Sequence, residues 1–248
     1  MDRRPFPSNF PLALLSMTIA TLNIDWAGKS KGKKEKIETE LTRFDFDILI
    51  LTEAVELDLP AYKFNYKTDA LPVQGEYEGV KYGELLNNTG YRAMIYSKYP
   101  SVRSFVVSDA FTSLCCVFET PAGPLTIYAT IVGTQFKKSP YAETELNNCI
   151  RDCTTISKQA DHLCLAGDLN TSFAEGEKYF QISNETTRQL RELCKACGID
   201  LTTAGLEENI DHIFLPAKLK GKITKDPWIF IGKDLLSDHQ GVAVDLDE

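Results

Sequence analysis

The chain has 248 residues, of which 43% are hydrophobic and 25% charged, the proportions of a soluble globular protein long enough to bury a sizeable core. Its formal net charge of −8 repels nucleic acid and anionic membrane over the surface as a whole, which argues against a protein that coats DNA without specificity. A phosphate substrate stays open, because a local cleft and bound cations can reverse the field where it matters. Seven cysteines form an odd, unpatterned set that fits a reducing compartment better than a disulfide framework. Cys194 and Cys197 make one CxxC with no second pair nearby in sequence, and they read as packing on a helix face.

Arg3-Arg4 and the apolar run over 12–22 resemble a signal peptide only faintly, since Pro7 and Pro11 interrupt the front of it. Residues 1–16 are therefore read as a tail, 17–248 as a single domain, and the protein as cytoplasmic with no membrane partner. Residues 17–24 read as a strand. A helix is expected over 33–44, with Ile37, Leu41 and Phe44 on one face. The nearly continuous apolar run over 47–52 reads as a strand buried on both faces. Strands over 91–97, 102–107, 114–119 and 125–132 follow one another like a meander, with Pro121-Ala-Gly-Pro124 as one of the turns. A long helix is expected over 141–159, then a strand over 163–166. A helix over 186–197 stops at Gly198, and strands over 210–215, 228–231 and 242–246 complete the chain. Strands outnumber helices, and no helix separates those between 91 and 132. The pattern predicts two mostly antiparallel sheets packed together with helices outside.

Carboxylates and amides recur at the C-terminal ends of the apolar strands. Asn23 and Asp25 follow the first, Glu53 the second, Asp168 and Asn170 the strand after the long helix, and Asp238-His239 precede the last strand. Loops at strand ends let a sheet scaffold bring polar groups to one point. Acidic oxygens with amides suit a hard cation such as Mg²⁺ or Mn²⁺, which neutralises phosphate oxygens. Each piece alone also reads as turn chemistry, because Asp and Asn favour such positions. Lys29, Lys31, Lys33, Lys34 and Lys36 lie just beyond Asn23 and could border a cleft for a polyanion; lysines on a solvated helix start are the plainer reading. His212 is expected to be structural, pointing away from Asp211 along a strand.

Taken in order, LNID at 22–25, LTEA at 51–54, AGDLN at 166–170, NIDHIF at 209–214 and LSDHQGV at 236–242 resemble the endonuclease/exonuclease/phosphatase (DNase I-like) superfamily. The resemblance runs from about Met17 to Asp245. It implies a four-layer α/β sandwich and a Mg²⁺- or Mn²⁺-dependent phosphoesterase. Through it Glu53 is expected as the principal metal ligand, with Asn23, Asp25 and Asp238 near the ion directly or through water. Asp168 is expected to orient or deprotonate the attacking water, Asn170 to hold a phosphate oxygen, His239 to contact the scissile phosphate and Asp211 to keep His239 protonated. Two departures stand out. Thr52 precedes Glu53 where relatives carry Gln, and the stretch Ala129-Thr130-Ile131-Val132-Gly133 lacks the His or Tyr that many relatives carry there. Tyr91, Arg92, Tyr128, Thr134 and Gln135 are the possible replacements; Tyr91 and Arg92, with Lys29 and Lys31, are the expected substrate contacts. The expected substrate is nucleic acid. A small or lipid-derived phosphate is the alternative, and a catalytically silent binding module of the same fold is a third reading.

Overall fold

The computed structural model describes residues 17–27, 31–85, 89–121, 123–160, 162–176, 181–223, 228–229 and 236–247. The expected tail over 1–16 and the expected substrate contact Lys29 lie outside them. The elements in chain order are β1 (Met17–Asn23), α1 (Lys31–Leu41), β2 (Ile48–Val55), β3 (Phe64–Lys67), α2 (Tyr82–Leu85), β4 (Gly90–Ser97), β5 (Ser101–Phe105), β6 (Ser113–Thr120) and β7 (Gly123–Ile131). They continue with α3 (Tyr141–Ile156), β8 (Leu163–Asp168), α4 (Asn184–Cys197), β9 (Ile199–Leu201), β10 (Asp211–Pro216), β11 (Lys220–Ile223), β12 (Trp228–Ile229) and β13 (Gln240–Asp247).

Two mixed sheets carry the fold. One runs β11-β13-β1-β2-β4-β3 with β12 paired to β13, the other β5-β6-β7-β8-β10-β9. Among the described residues only β1 with β2 and β7 with β8 pair parallel; the other pairs are antiparallel. Period-two alternation sorts the side chains into layers. Ile48 and Ile50 of β2 face Ile127, Ala129 and Ile213 across the space between the sheets, while Leu49 and Leu51 face outward to Ile37 and Leu41 of α1. On the far side Leu146, Cys149 and Cys153 of α3 and Leu190 and Leu193 of α4 cover the second sheet. The order is helix, sheet, sheet, helices: the expected α/β sandwich.

The helix expected over 33–44 starts earlier and ends at Leu41; Phe44 lies beyond it, stacked on Phe46 with ring centroids 5.2 Å apart. Ser183 caps α4 by accepting from Thr186 N at 3.0 Å, and Gly198 ends it at φ 64°. The run expected as a meander is split. β4 belongs to the first sheet and β5, β6 and β7 to the second, so the chain crosses the sandwich between Ser97 and Ser101. Apolar alternation reads the same in either sheet, which is why the crossing leaves no mark in the pattern. Glu53, expected at a strand end, lies inside β2. The ladder runs Thr52↔Ala93 and then Ala54↔Tyr91, and Glu53 between them has φ 46°. Beyond it both Ala54 and Val55 pack outward, so the alternation breaks at that residue.

Candidate active site

Three strand-end turns use one local device: a side-chain oxygen accepts the N–H two residues on. Asn23 Oδ1 accepts from Asp25 N at 2.8 Å, Asp168 Oδ1 from Asn170 N at 2.8 Å and Ser237 Oγ from His239 N at 3.1 Å. Asp25 and Asn170 adopt the left-handed conformation, at φ 42° and 46°. Such strain in residues other than glycine gathers at sites that need a particular side-chain aim. Gly167 in the AGDLN turn is required sterically: at φ 139°, an added Cβ would sit 1.9 Å from the Thr130 carbonyl oxygen.

The turns meet at one edge of the sandwich. Asn23 Nδ2 donates to Asp168 Oδ2 at 2.9 Å, joining the first sheet to the second. Asn170 Nδ2 donates to Asp168 Oδ2 at 3.2 Å and to the Val132 carbonyl at 3.0 Å. Asp211 stands directly opposite Asp168 in the β8–β10 ladder. His239 Nδ1 donates to Asp211 Oδ2 at 2.6 Å, and Ser237 Oγ donates to the Asn23 carbonyl at 2.6 Å. Asn23, Asp168, Asn170, Asp211 and His239 are therefore brought together, with Asp168, Asp211 and His239 offering ligand atoms within 4.8 Å of one another.

Burial shapes their protonation. It pushes the Asp168 carboxyl up to about 7; the Asp211 charge adds to this, while the His239 charge and the Asn23 and Asn170 donors pull the other way. Burial alone would neutralise His239, but the charge and hydrogen bond of Asp211, with Asp168 and Asp238, outweigh it and lift the ring to about 10. His212 meets the opposite fate one residue along β10. It is fully buried, with Nδ1 against Thr203 Oγ1 at 2.9 Å and Nε2 donating to the Thr171 carbonyl at 3.0 Å, and burial lowers it to about 4.

The other expected residues sit around this centre. Asp25 is tied to Asn23 through its backbone, and its carboxylate accepts from Lys33 Nζ at 2.8 Å. Glu53 lies beside it, its carbonyl accepting from Trp26 N at 2.9 Å. The Asp238 carboxylate is exposed, 3.9 Å from His239 Nε2. Lys31 opens α1. The Tyr91 ring packs in the outer, helix-side layer with its hydroxyl 3.4 Å from Glu56. Arg92 is 1% exposed and enclosed by Glu78, Tyr82 and Glu145. Sequence reasoning missed Glu145 and Glu78. Neither sits at the end of an apolar run beside an acidic or amide partner, so no pattern signals them; Ser237 lay within the LSDHQGV motif without a role of its own.

A cation fits this chemistry. Asn23, Asp25, Glu53 and Asp238 offer the hard oxygen donors that Mg²⁺ and Mn²⁺ prefer. Asp211 Oδ1 is in addition a buried carboxylate oxygen with no hydrogen-bond partner among the described residues. The triad of Asp168, Asp211 and His239 is also close enough to hold an ion. Its imidazole, however, carries a proton toward Asp211 across the neutral range, and a metal there would have to displace that proton.

No protein-family model and no curated protein matches the sequence. Solved structures do resemble it. The catalytic domain of human Nocturnin with bound sulfate superposes with a TM-score of 0.66 at 13% identity, over 93% of this chain and 93% of that one. The 3'-5' exonuclease NExo of Neisseria meningitidis gives 0.63 at 14% identity, over 94% of this chain and 100% of that one. An endonuclease/exonuclease/phosphatase from Beutenbergia cavernae gives 0.62 at 18% identity, over 94% of this chain and 71% of that one. The chain has the DNase I-like fold of the endonuclease/exonuclease/phosphatase structures.

Proposed function

We propose that the chain is a Mg²⁺- or Mn²⁺-dependent phosphoesterase that hydrolyses nucleic acid by in-line attack of water on phosphorus. The observation that carries this reading is the pairing of a buried carboxylate near its neutral point, Asp168, with an imidazolium, His239, at one edge of the sandwich. Asp168, held by Asn23 and Asn170, takes the proton of the attacking water. His239, charged because of Asp211, stabilises the oxygen charge that develops on phosphorus, and the Asn170 amide holds a phosphate oxygen by exchanging its bond to the Val132 carbonyl for one to the substrate. Glu53, Asp25, Asn23 and Asp238 would hold Mg²⁺ or Mn²⁺, which when bound supplies positive charge against the phosphate oxygens.

The 3'-5' exonuclease among the similar structures supports a nucleic-acid substrate. The net charge of −8 favours instead a compact phosphate ester, the second reading, because it opposes a long polyanion away from the site. The assembled Asp168, Asn170, Asp211 and His239 speak against a silent module. Among the described residues no helix is long and apolar enough to cross a membrane. Seven free thiols, five of them buried, suit a reducing compartment such as the cytoplasm.

The test is hydrolysis of oligonucleotides, an inositol phosphate and bis-p-nitrophenyl phosphate with Mg²⁺, Mn²⁺ or EDTA. Cleavage is expected to need metal and Glu53, and Asp168→Asn is expected to lower it about 10²–10⁴-fold in a folded protein. Activity that survives either change would sink the assignment. Turnover of only the small esters would select the second reading.

A further inference from the structure

Arg92 is the least expected buried group in the molecule. Arginine is almost never fully buried unless it is paired, and a buried guanidinium needs acceptors for its five N–H donors. Here the side chain is 1% exposed. Its Nη2 donates to Tyr82 Oη at 2.8 Å and to the Glu78 carboxylate, and Nη1 lies 3.7 Å from Glu145 Oε1. The Tyr77 and Tyr82 rings flank the guanidinium carbon at 5.1 and 5.7 Å. Nε and Nη1 remain buried without a hydrogen-bond partner among the described residues.

The position of this group matters. Arg92 stands opposite Glu53, between the Thr52↔Ala93 and Ala54↔Tyr91 pairs of the β2–β4 ladder. On its other side Glu145 accepts from Gly133 N at 2.7 Å and Thr134 N at 3.0 Å, just past the end of β7. Val132, one residue earlier, accepts from Asn170. The guanidinium thus lies between Glu53 and the turn that holds Asn170, at the border of the site.

Its outer partner sits on a turn. Tyr77 and Val80 exchange N–H···O bonds at 2.9 and 3.0 Å, and the residues between them, Glu78 and Gly79, have φ 53° and 77°. This is the two-residue hairpin geometry with both central residues left-handed. The Glu78 side chain is 18% exposed against 1% for Arg92, so it covers the guanidinium from the solvent side.

We infer that Arg92 is the phosphate-holding cation of this site, and that Glu78 occupies it in the resting enzyme as a built-in competitor that a substrate phosphate displaces. The inference rests on the phosphoesterase reading for its ligand. A phosphate group brings more negative charge and more acceptor oxygens than one carboxylate, and can engage Nε and Nη1, which Glu78 leaves unused. Swinging a turn residue outward exposes Arg92 without disturbing either sheet.

The experiment is calorimetric binding of inorganic phosphate in EDTA, so that neither turnover nor a bound cation contributes. Wild type, Glu78→Gln and Arg92→Lys are compared, with circular dichroism as the check on folding. Glu78→Gln is expected to bind phosphate about tenfold tighter, because the competing charge is gone. Arg92→Lys is expected to bind at least tenfold more weakly, because a point charge replaces the fork. Unchanged or weaker binding by Glu78→Gln overturns the inference, as does full affinity in a folded Arg92→Lys protein or no phosphate binding by any of the three. If Arg92→Lys does not fold, Glu78→Gln decides alone. Loss of the phosphoesterase reading would appear separately, as phosphate binding without hydrolysis of any ester.

Discussion

Asp168 and His239 both hold their protons to higher pH than free side chains do. A carboxyl at about 7 and an imidazole at about 10 mean that through the interval between them the base is empty and the acid is loaded. The rate should therefore fall as pH drops through 7, when Asp168 gains its proton, and fall again as pH rises through 10, when His239 loses its own. Asp211→Asn removes the largest influence holding the imidazolium. The alkaline limb of kcat/KM is then expected to move down by a unit or more, and the acid limb to move down as well, because the Asp211 charge also helps to raise Asp168. An unmoved alkaline limb would show that His239 does not carry the charge the reaction uses. His239 also contributes stability of the raised-pKa kind, complete below 6.5 and lost as pH rises through 10. At this scale Asn23, Asp168, Asn170 and His239 were legible in the sequence, because small polar residues after apolar runs are conspicuous. Arg92 was expected as a substrate contact, but its enclosure was not legible. Nothing in its neighbours GYRAM announces that Glu78 and Glu145, distant in sequence, would enclose it.

Among elements, the turns after β7 and β8 carry the tolerances. Gly167→Ala meets the Thr130 carbonyl at 1.9 Å, and neither strand of a parallel pair can yield, so the variant is expected to lose more than about 3 kcal/mol. Gly133→Ala differs in kind. Its Cβ would meet Ile182 Cδ1 at 2.8 Å, the end of a flexible side chain, and Asn170 Cβ at 3.2 Å. Given φ 86°, it should cost about 1–3 kcal/mol and still fold, but with Asn170 displaced and kcat reduced about tenfold or more. Urea titration beside steady-state kinetics separates the two; an equal stability loss in both would refute the steric account. Long apolar strands such as β2 and β8 were readable from sequence, as was α4 with its cap and terminal glycine. The four-residue β3 and β11 and three-residue β9 were not. They are too short to show a period, and they exist because neighbouring strands offer them hydrogen bonds. The break at Glu53 was invisible for a related reason: a left-handed residue other than glycine is imposed by its surroundings.

At the scale of the whole molecule, the site belongs to neither sheet. Asn23, Ser237 and His239 come from the first, Asp168 and Asp211 from the second, and the core between the sheets sets their spacing. Ile127→Ala empties a fully buried position in that core and is expected to cost about 2–5 kcal/mol. Activity and near-UV circular dichroism should then disappear together as urea rises. Activity that failed well before the dichroism would mean that the site is held by its own turns rather than by the apposed sheets. The sandwich could be argued from strand count and the scarcity of helices; the point where the chain changes sheets could not. One pairing bears on how such a molecule is made. β1 lies between β2 and β13, with Met17 against Leu246 and Thr21 against Val242, so its second neighbour arrives only after nearly all the intervening chain has been translated. Until then a central strand presents a bare edge on the ribosome, the kind of surface that recruits a chaperone or a neighbouring polysome product. His239 travels on the same late segment, so the nascent chain receives its closing strand and its charged ring in one event.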